Sequence, residues 1–289
     1  RKKNTFLGAT ELNDLLCEKF NITRENARQI IKRSVTKKLI KTSSPFTFKN
    51  GQYIYMGLDD TLNLETLIKI TKTYKPSMYR VLSLLNKEDK IISYYEARKA
   101  AATPVDNLDK YKLIQIDEEI RELINHDIIF ATKDPERGIV YLAAKQYENT
   151  DIINSLMKRH YEKMRMDSIF LPDIVRWLKE HNFIHHNQIV YRRVDNPSLG
   201  AKHNDFLWDA FAYTNTTGFS INTGKEDKQT LVVLDVLIHR EYSKEDLDSF
   251  YNRIQSVRHS THGEARKILP IIFFLKVDPN VKREMKRLK

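Results

Sequence analysis

The stretch TLVVLDVLIHREYS, residues Thr230–Ser243, places an aspartate in the middle of an apolar run. At a period of two residues, Asp235 shares one strand face with Val233 and Leu237, and the alternate positions are apolar as well. Both faces are therefore expected to be covered, which is typical of a central strand. A carboxylate buried there without a partner costs on the order of 2–7 kcal/mol or more. Asp235 is therefore expected to be paired, protonated or bound to a cation.

The elements on either side of this strand predict a compact α/β arrangement. Helices are predicted over 151–166, 171–181 and 244–259, and further strands over 188–193, 206–214 and 268–277. A strand, a helix and a strand in succession favour a parallel pair with a right-handed crossover. The last strand reads ILPIIFFL and is apolar on both faces, so we expect it to lie buried against the centre of the sheet.

This order of elements, with one aspartate in LWDAFAYT and another in VVLDVL, resembles the PD-(D/E)XK nuclease superfamily, which has the restriction-endonuclease-like fold. The resemblance covers about residues 150–280. It implies that Asp209 and Asp235 are the two catalytic acidic residues and that they hold Mg²⁺ at a scissile phosphate. In that family an acidic residue of a preceding helix often joins them, and the candidates are Glu162, Asp173 and Glu180.

One position departs from the pattern of the family. Two residues after Asp235, where the family has its lysine, this chain has Leu237, which cannot stabilise charge at a phosphate. His239 and Gln255 are candidate catalytic replacements, and further basic candidates are Arg240, Arg253, Lys225 and Lys228. The alternative is a domain that keeps the fold without cleavage, with Asp235 paired to an arginine or hydrogen-bonded to backbone, because a fold does not fix a function.

Positive charge is concentrated near the start of the chain. Residues 1–50 carry 12 Lys and Arg against 4 Asp and Glu, and the whole chain has a formal charge of +11. Apolar spacing predicts one helix over 9–20 and a second over 24–38, which Thr23 caps. The predicted buried face of the second helix consists of Ala27, Ile30, Ile31 and Val35. This helix-turn-helix precedes a predicted hairpin over 46–55, turned at Asn50–Gly51, that supplies a wing.

The second helix carries outward-pointing side chains of the kinds that contact DNA. Asn and Gln can bond adenine, Arg can bond guanine, and Lys neutralises phosphate. The candidate DNA-binding residues are Arg24, Asn26, Arg28, Gln29, Lys32 and Arg33. The alternative is a charged, solvated helix in a domain that binds only protein.

Residues 59–148 predict a second unit of similar outline. A connector helix over 61–74 precedes helices over 77–87, 94–102 and 112–125, and a hairpin from 128–131 to 139–142 turns at DPERG. The helix in the recognition position contains four acidic residues, which would repel a phosphate backbone: Asp117, Glu118, Glu119 and Glu122. We therefore expect residues 59–148 to contact a protein partner or a second copy of the chain rather than DNA.

The sequence thus predicts a multidomain protein of the α+β and α/β classes. Its parts are a basic winged helix-turn-helix (1–58), a connector with a second winged-helix-like domain (59–148) and a restriction-endonuclease-like domain (149–289). No run approaches the ~18 apolar residues of a membrane span, so a soluble cytoplasmic protein is expected. The single cysteine, Cys17, excludes an internal disulfide framework.

The predicted function is DNA binding, combined with a nuclease-like domain that lacks the usual lysine. Such a protein is expected to act in DNA transactions of a mobile element, in defence or in regulation. The alternative is an active Mg²⁺-dependent DNA endonuclease with a relocated basic residue, and Mg²⁺ is expected as a cofactor only in that case.

Overall fold

The computed structural model describes a protein of mixed α+β class. The described residues are 6–48, 51–102, 114–184, 189–203, 206–214, 221–222, 227–228, 230–260 and 267–288. Helices alternate with several small sheets along the chain, which confirms the predicted mixed class. In these ranges no helix combines the length and the apolar character that crossing a membrane requires.

Two helices and a three-stranded sheet form the N-terminal segment (6–56). In chain order its elements are β1 (Leu7–Gly8), α1 (Ala9–Phe20), α2 (Arg24–Thr36), β2 (Lys41–Thr42) and β3 (Ile54–Met56). The strand order is β1-β3-β2. Both helices confirm the prediction, and the Thr23 side chain caps α2 by accepting a hydrogen bond from the N–H of Asn26.

Two predictions for the N-terminal segment are wrong in detail. The first strand of the hairpin is β2 and does not begin at Phe46, whose ring is buried in the core instead. The predicted burial of Ile30 is also wrong, because its side chain is 42% exposed. The buried residues of α2 are Ala27 and Ile31, so its buried face is narrower than the sequence predicts. Asn50 of the predicted turn lies outside the described residues.

The middle segment (64–144) repeats this arrangement after two further helices. Its elements are α3 (Leu64–Tyr74), α4 (Pro76–Lys87), β4 (Ile91–Ser93), α5 (Tyr94–Ala100), α6 (Ile114–Asn125), β5 (Ile129–Lys133) and β6 (Val140–Ala144). The strand order β4-β6-β5 matches that of the N-terminal sheet, since the strand that precedes two helices pairs with the last strand. The predicted DPERG turn is confirmed by the hydrogen bond from the Gly138 N–H to the Asp134 carbonyl.

In the C-terminal segment (152–288), the strand that contains Asp235 is an inner strand of a four-stranded sheet. Its helices are α7 (Ile152–Ile169), α8 (Leu171–Glu180), α9 (Lys244–Ser260) and α10 (Pro279–Met285). The sheet strands are β7 (Ile189–Tyr191), β10 (Ala210–Thr214), β13 (Thr230–Tyr242) and β14 (Ile268–Val277). Short ribbons are formed by β8 (Ala201–His203) with β9 (Phe206–Trp208), and by β11 (Ile221–Asn222) with β12 (Asp227–Lys228).

The sheet order is β14-β13-β10-β7. Strand β13 pairs antiparallel with β10 and parallel with β14, as the succession of strand, helix and strand predicts. Both faces of β13 are covered as expected. Val232 packs toward α8, whereas Val233 packs toward α9.

The prediction that the last strand is buried is wrong. Strand β14 lies beside β13, but it is the outer strand of the described sheet, and its Leu275 side chain is 69% exposed. The N–H of Leu231 donates to the carbonyl of Lys267, so the backbone N–H and C=O groups at odd positions of β14 point toward β13 and those at even positions point away from it. Pro270 is therefore at an outward position, where its missing N–H leaves the ladder intact.

The apolar clusters of the described residues fall into two groups, one before and one after the junction of α7 and α8. The N-terminal and middle segments share one cluster, which joins Phe46 to Leu67 across the predicted limit at residue 58. A second cluster joins the middle sheet to α7 and includes Tyr141 and Met164. The other three clusters contain only residues from Leu171 onward. Among the described residues, no apolar cluster contains side chains from both sides of the α7–α8 junction.

Candidate functional site

Two buried carboxylates stand opposite each other in the C-terminal sheet. Asp209 interrupts the predicted strand 206–214 and separates β9 from β10. Because Ala210 pairs with Leu234, the same register sets Asp209 across from Asp235 on β13. The two residues are 0% and 3% exposed. The sequence therefore identifies the carboxylates that come together, which we call the acidic pair.

The cation between these carboxylates is a lysine of the middle segment. Lys99, in the last turn of α5, places its Nζ 2.5 Å from Asp209 Oδ2 and 2.5 Å from Asp235 Oδ1. Burial alone would lower the pKa of Lys99, but the two carboxylates outweigh it and raise that pKa above its usual range. Lys99 is therefore a protonated counter-ion held between the two members of the acidic pair.

Protein donors also occupy the other oxygens of the acidic pair. Asp209 accepts hydrogen bonds from the Tyr95 hydroxyl at 3.0 Å and from the Val236 N–H at 2.7 Å. Asp235 accepts from the Tyr242 hydroxyl at 2.9 Å and from Arg253 at 3.3 Å. Every oxygen of the pair thus has a donor, so a buried charge is compensated at each position.

Arg192 completes the positive charge around the pair. Its Nε lies 3.3 Å from Asp209 Oδ1, and its side chain is 3% exposed. Burial would raise the pKa of Asp209, but the charges of Arg192 and Lys99 outweigh it and hold that pKa well below its usual range. Three cations, Lys99, Arg192 and Arg253, therefore surround two carboxylates.

This arrangement does not suit a divalent metal. Mg²⁺ prefers several free carboxylate oxygens and water ligands, whereas the oxygens of Asp209 and Asp235 bind an ammonium, a guanidinium, two hydroxyls and a backbone N–H. In the part of the chain that the structure describes, no group of three or more His, Cys, Asp and Glu side chains is arranged to hold a metal ion. The residues present fit an internal ion-pair network.

A second ionic cluster adjoins the acidic pair. The His239 ring contacts Asp167 through Nδ1 at 2.8 Å and Glu88 through Nε2 at 2.9 Å, so both nitrogens donate and the ring is an imidazolium. Burial would lower the pKa of His239, but the hydrogen bonds to Asp167 and Glu88 raise it to about 9. Glu88 also lies 2.6 Å from Nε of Arg240, whose guanidinium forms two hydrogen bonds with Asp246.

The remaining candidate catalytic residues lie apart from the acidic pair. His239 contacts Asp167 and Glu88. Gln255 is half-buried. It follows Arg253 by two positions on α9, which is a rotation of about 200° around the helix, so it points away from Asp235. Leu237 packs in an apolar cluster with Tyr242.

The helix acids named from the sequence do not join the pair either, since all three are exposed: Glu162, Asp173 and Glu180. The helix carboxylate near this region is Asp167 at the end of α7, which accepts from the N–H groups of Ile238 and His239. Lys225 lies outside the described residues. Arg240 and Arg253, both named as possible substitutes, lie in the ionic network, and Arg253 reaches Asp235.

The predicted DNA-contacting set lies on the solvent side of α2. All six side chains are exposed: Arg24, Asn26, Arg28, Gln29, Lys32 and Arg33. Arg24 pairs with Asp14 of α1 at 2.9 Å, in a surface contact that contributes little to stability. Within the described residues, the side chains of the other five form no hydrogen bond or ion pair with another element, and their functional groups face solvent on one helix.

Comparison with known proteins gives no relative for this chain. It matches no protein-family model, no curated protein and no solved structure.

Proposed function

We propose that this protein binds DNA through its N-terminal segment and carries a restriction-endonuclease-like domain whose acidic pair is neutralised by Lys99 and does not cleave. The observation that carries the proposal is the exposed polar and basic face of α2. A protein of this kind acts in DNA transactions of a mobile element, in defence or in regulation, by recognising a site rather than cutting it.

The order of elements supports a winged helix at the N-terminus. A strand, two helices and a two-stranded hairpin, with the first strand paired to the last, match the part of a winged helix that contains its helix-turn-helix and wing. The second helix of such a unit enters the major groove. In this chain that helix is α2, whose Arg28 and Lys32 stand one helical turn apart on the exposed side.

The middle segment has the same strand order, but the helix in the position of α2 is acidic. Helix α6 stands in the position of α2, and its Asp117 and Glu122 would repel phosphate. Glu119 of the same helix turns inward, 3.4 Å from the Nζ of Lys75. These features favour protein contact for residues 59–148, and the middle segment already supplies Lys99 to the C-terminal sheet.

The state of the acidic pair supports binding without cleavage. A phosphodiester must reach the carboxylates, yet Asp209 is fully buried and Lys99 lies between it and Asp235. The sheet order, with β14 parallel to β13 and β7, β10 and β13 as an antiparallel meander, favours the nuclease-like fold. Fold alone does not carry the chemistry.

Equilibrium binding to duplex DNA over a range of salt concentrations tests the proposal. The double variant Arg28→Ala/Lys32→Ala should bind more weakly, and the slope of log K against log salt should fall by roughly 2, because each phosphate contact contributes about 0.9. A matched control is Lys69→Ala/Lys72→Ala on α3, which removes two exposed lysines outside the proposed interface. An unchanged slope in the Arg28/Lys32 variant would refute the DNA contact at α2.

One observation favours the alternative, an active Mg²⁺-dependent endonuclease. Lys99 brings an ammonium to both members of the acidic pair, as a relocated basic residue would. On this alternative the protein nicks DNA, Lys99→Met and Asp235→Asn each abolish nicking without weakening binding, and Lys87→Met does not affect it. Persistence of nicking in Asp235→Asn would exclude this site as its source.

A further inference from the structure

The contact of the middle segment and α7 with the residues that follow α7 includes two buried side chains of opposite charge. Lys99 enters the acidic pair, and Glu88 enters a cationic site formed by His239 and Arg240. Glu88 is 1% exposed. Burial would raise the pKa of Glu88, but the hydrogen bond from His239 outweighs it and lowers that pKa to about 2. The middle segment therefore offers a cation and an anion to two sites of the opposite sign, which fixes its orientation on the C-terminal sheet.

The other contacts across this junction are polar as well. Glu245 of α9 accepts from the Tyr79 hydroxyl at 3.0 Å and from Lys87 at 2.7 Å. The Ser249 hydroxyl donates to the backbone carbonyl of Lys99 at 2.6 Å. No apolar cluster of the described residues spans the α7–α8 junction. Separation of the two sides would expose the buried ring of Tyr95, which packs against Gly200, and otherwise mainly polar contacts. Segments joined by polar contacts are expected to move relative to each other.

The packing at the junction is also incomplete. A cavity of about 40 Å³ lies there and is lined in part by Leu84, Lys99 and Arg192. Nη2 of Arg192 is buried and has no hydrogen-bond partner. The cavity and the polar contacts distinguish this surface from a close-packed apolar core.

We infer that the middle segment and α7 (residues 64–169, apart from 103–113, which lie outside the described residues) form a reversible cover over the acidic pair, held closed by Glu88 and Lys99. In the closed state Lys99 fills the space between the carboxylates and solvent does not reach Asp209. In the open state Asp209 and Asp235 face the cleft with Arg192 and Arg253. The inference rests on the proposed function in one respect, which is that the covered site is a nuclease-like centre.

Labelling of lysines with an amine-acetylating reagent, read by peptide mass spectrometry, measures the opening. Lys99 must leave both carboxylates before it reacts, so wild-type Lys99 should react at least about tenfold more slowly than the exposed Lys69. Glu88→Gln should raise the Lys99 rate by about tenfold, the effect of losing one charged hydrogen bond, and leave Lys69 unchanged. The matched control is Asp89→Asn, because Asp89 pairs with Lys163 and Arg159 inside the cover.

Three results would overturn the inference. They are a wild-type Lys99 rate equal to that of Lys69, an unchanged Lys99 rate in Glu88→Gln, and an equal increase in Asp89→Asn. If circular dichroism shows that Glu88→Gln does not fold, Glu245→Gln takes its place, because it weakens the junction through Tyr79 and Lys87. The reaction contains no DNA, so its outcome is independent of whether α2 binds DNA.

Discussion

The ammonium of Lys99 lies 2.5 Å from a carboxylate oxygen of Asp209, although the two residues stand 110 positions apart in the sequence. This contact joins a short helix of the middle segment to the centre of the C-terminal sheet. Lys99 also contacts Asp235, so the buried aspartate of β13 is stabilised by a cation from another part of the chain. The contact compensates the buried charge of Asp209, joins the middle segment to the C-terminal sheet, and occupies carboxylate oxygens that a metal ion would need.

Replacement of Lys99 by methionine is expected to destabilise the protein strongly. Two buried carboxylates would lose their shared cation, and breaking a buried ion pair from one side costs about 3–5 kcal/mol. The double variant Lys99→Met/Asp235→Asn should recover a large part of this loss, because one of the two charges is then removed. Urea unfolding measures both free energies.

Lys87→Met is the control for this prediction. Lys87 pairs with Glu245 near the same junction, but its side chain is 40% exposed, so the expected cost is below about 1 kcal/mol. An equal loss in the Lys87 and Lys99 variants would show that Lys99 is an ordinary surface lysine.

Stability is expected to fall as the pH rises through the pKa of His239. The folded-state pKa of about 9 exceeds the usual value of 6.5, so the folded state binds the proton more tightly than the unfolded chain. Its contribution is complete below pH 6.5 and is lost by pH 9, with a size on the order of 3 kcal/mol. Unfolding free energies at several pH values in this window measure it.

His239→Gln isolates the contribution of the imidazolium. The variant should be less stable than the wild type at pH 6, and its stability should change much less between pH 6.5 and pH 9. If both proteins lose the same stability over this window, another group titrates and the pairing of His239 with Glu88 and Asp167 is not the cause.

Pro270→Val is expected to promote self-association. The backbone nitrogen of position 270 points away from β13 on β14, which is the outer strand of the described sheet. Valine would supply the N–H that proline lacks, which gives another strand a further donor. Sedimentation velocity should show larger species than the wild type at equal concentration. Ile272→Val, on the same edge, leaves the backbone donors unchanged and should behave as the wild type does; matching behaviour in Pro270→Val would contradict the edge assignment.

The elements of the fold were largely predictable because their apolar periodicity is strong. The β13 faces and the helices α1, α4 and α9 follow from local patterns. The pairing of Asp209 with Asp235 is expected from the resemblance to the nuclease superfamily. The burial of β14 is mispredicted because both faces of this strand are apolar, and that pattern does not distinguish a central strand from an outer one. Pro270 is the local signal for the edge, since a missing N–H is tolerated there.

The partner of the acidic pair is not predictable from local spacing. Lys99 belongs to another segment, and its contact depends on how α5 docks on the sheet. One indication is present in the sequence. Lys99 follows the buried Tyr95 by four positions, which sets it on the same face of the helix, and a lysine on a buried face requires a carboxylate partner.

Incubation of the purified protein with supercoiled plasmid DNA and Mg²⁺ or Mn²⁺, followed by gel electrophoresis, tests the central claim most directly. The account predicts that wild-type protein retards the plasmid and leaves it supercoiled, because Lys99 occupies the space between Asp209 and Asp235. Conversion to nicked or linear DNA by the wild type, lost in Asp235→Asn, would contradict it.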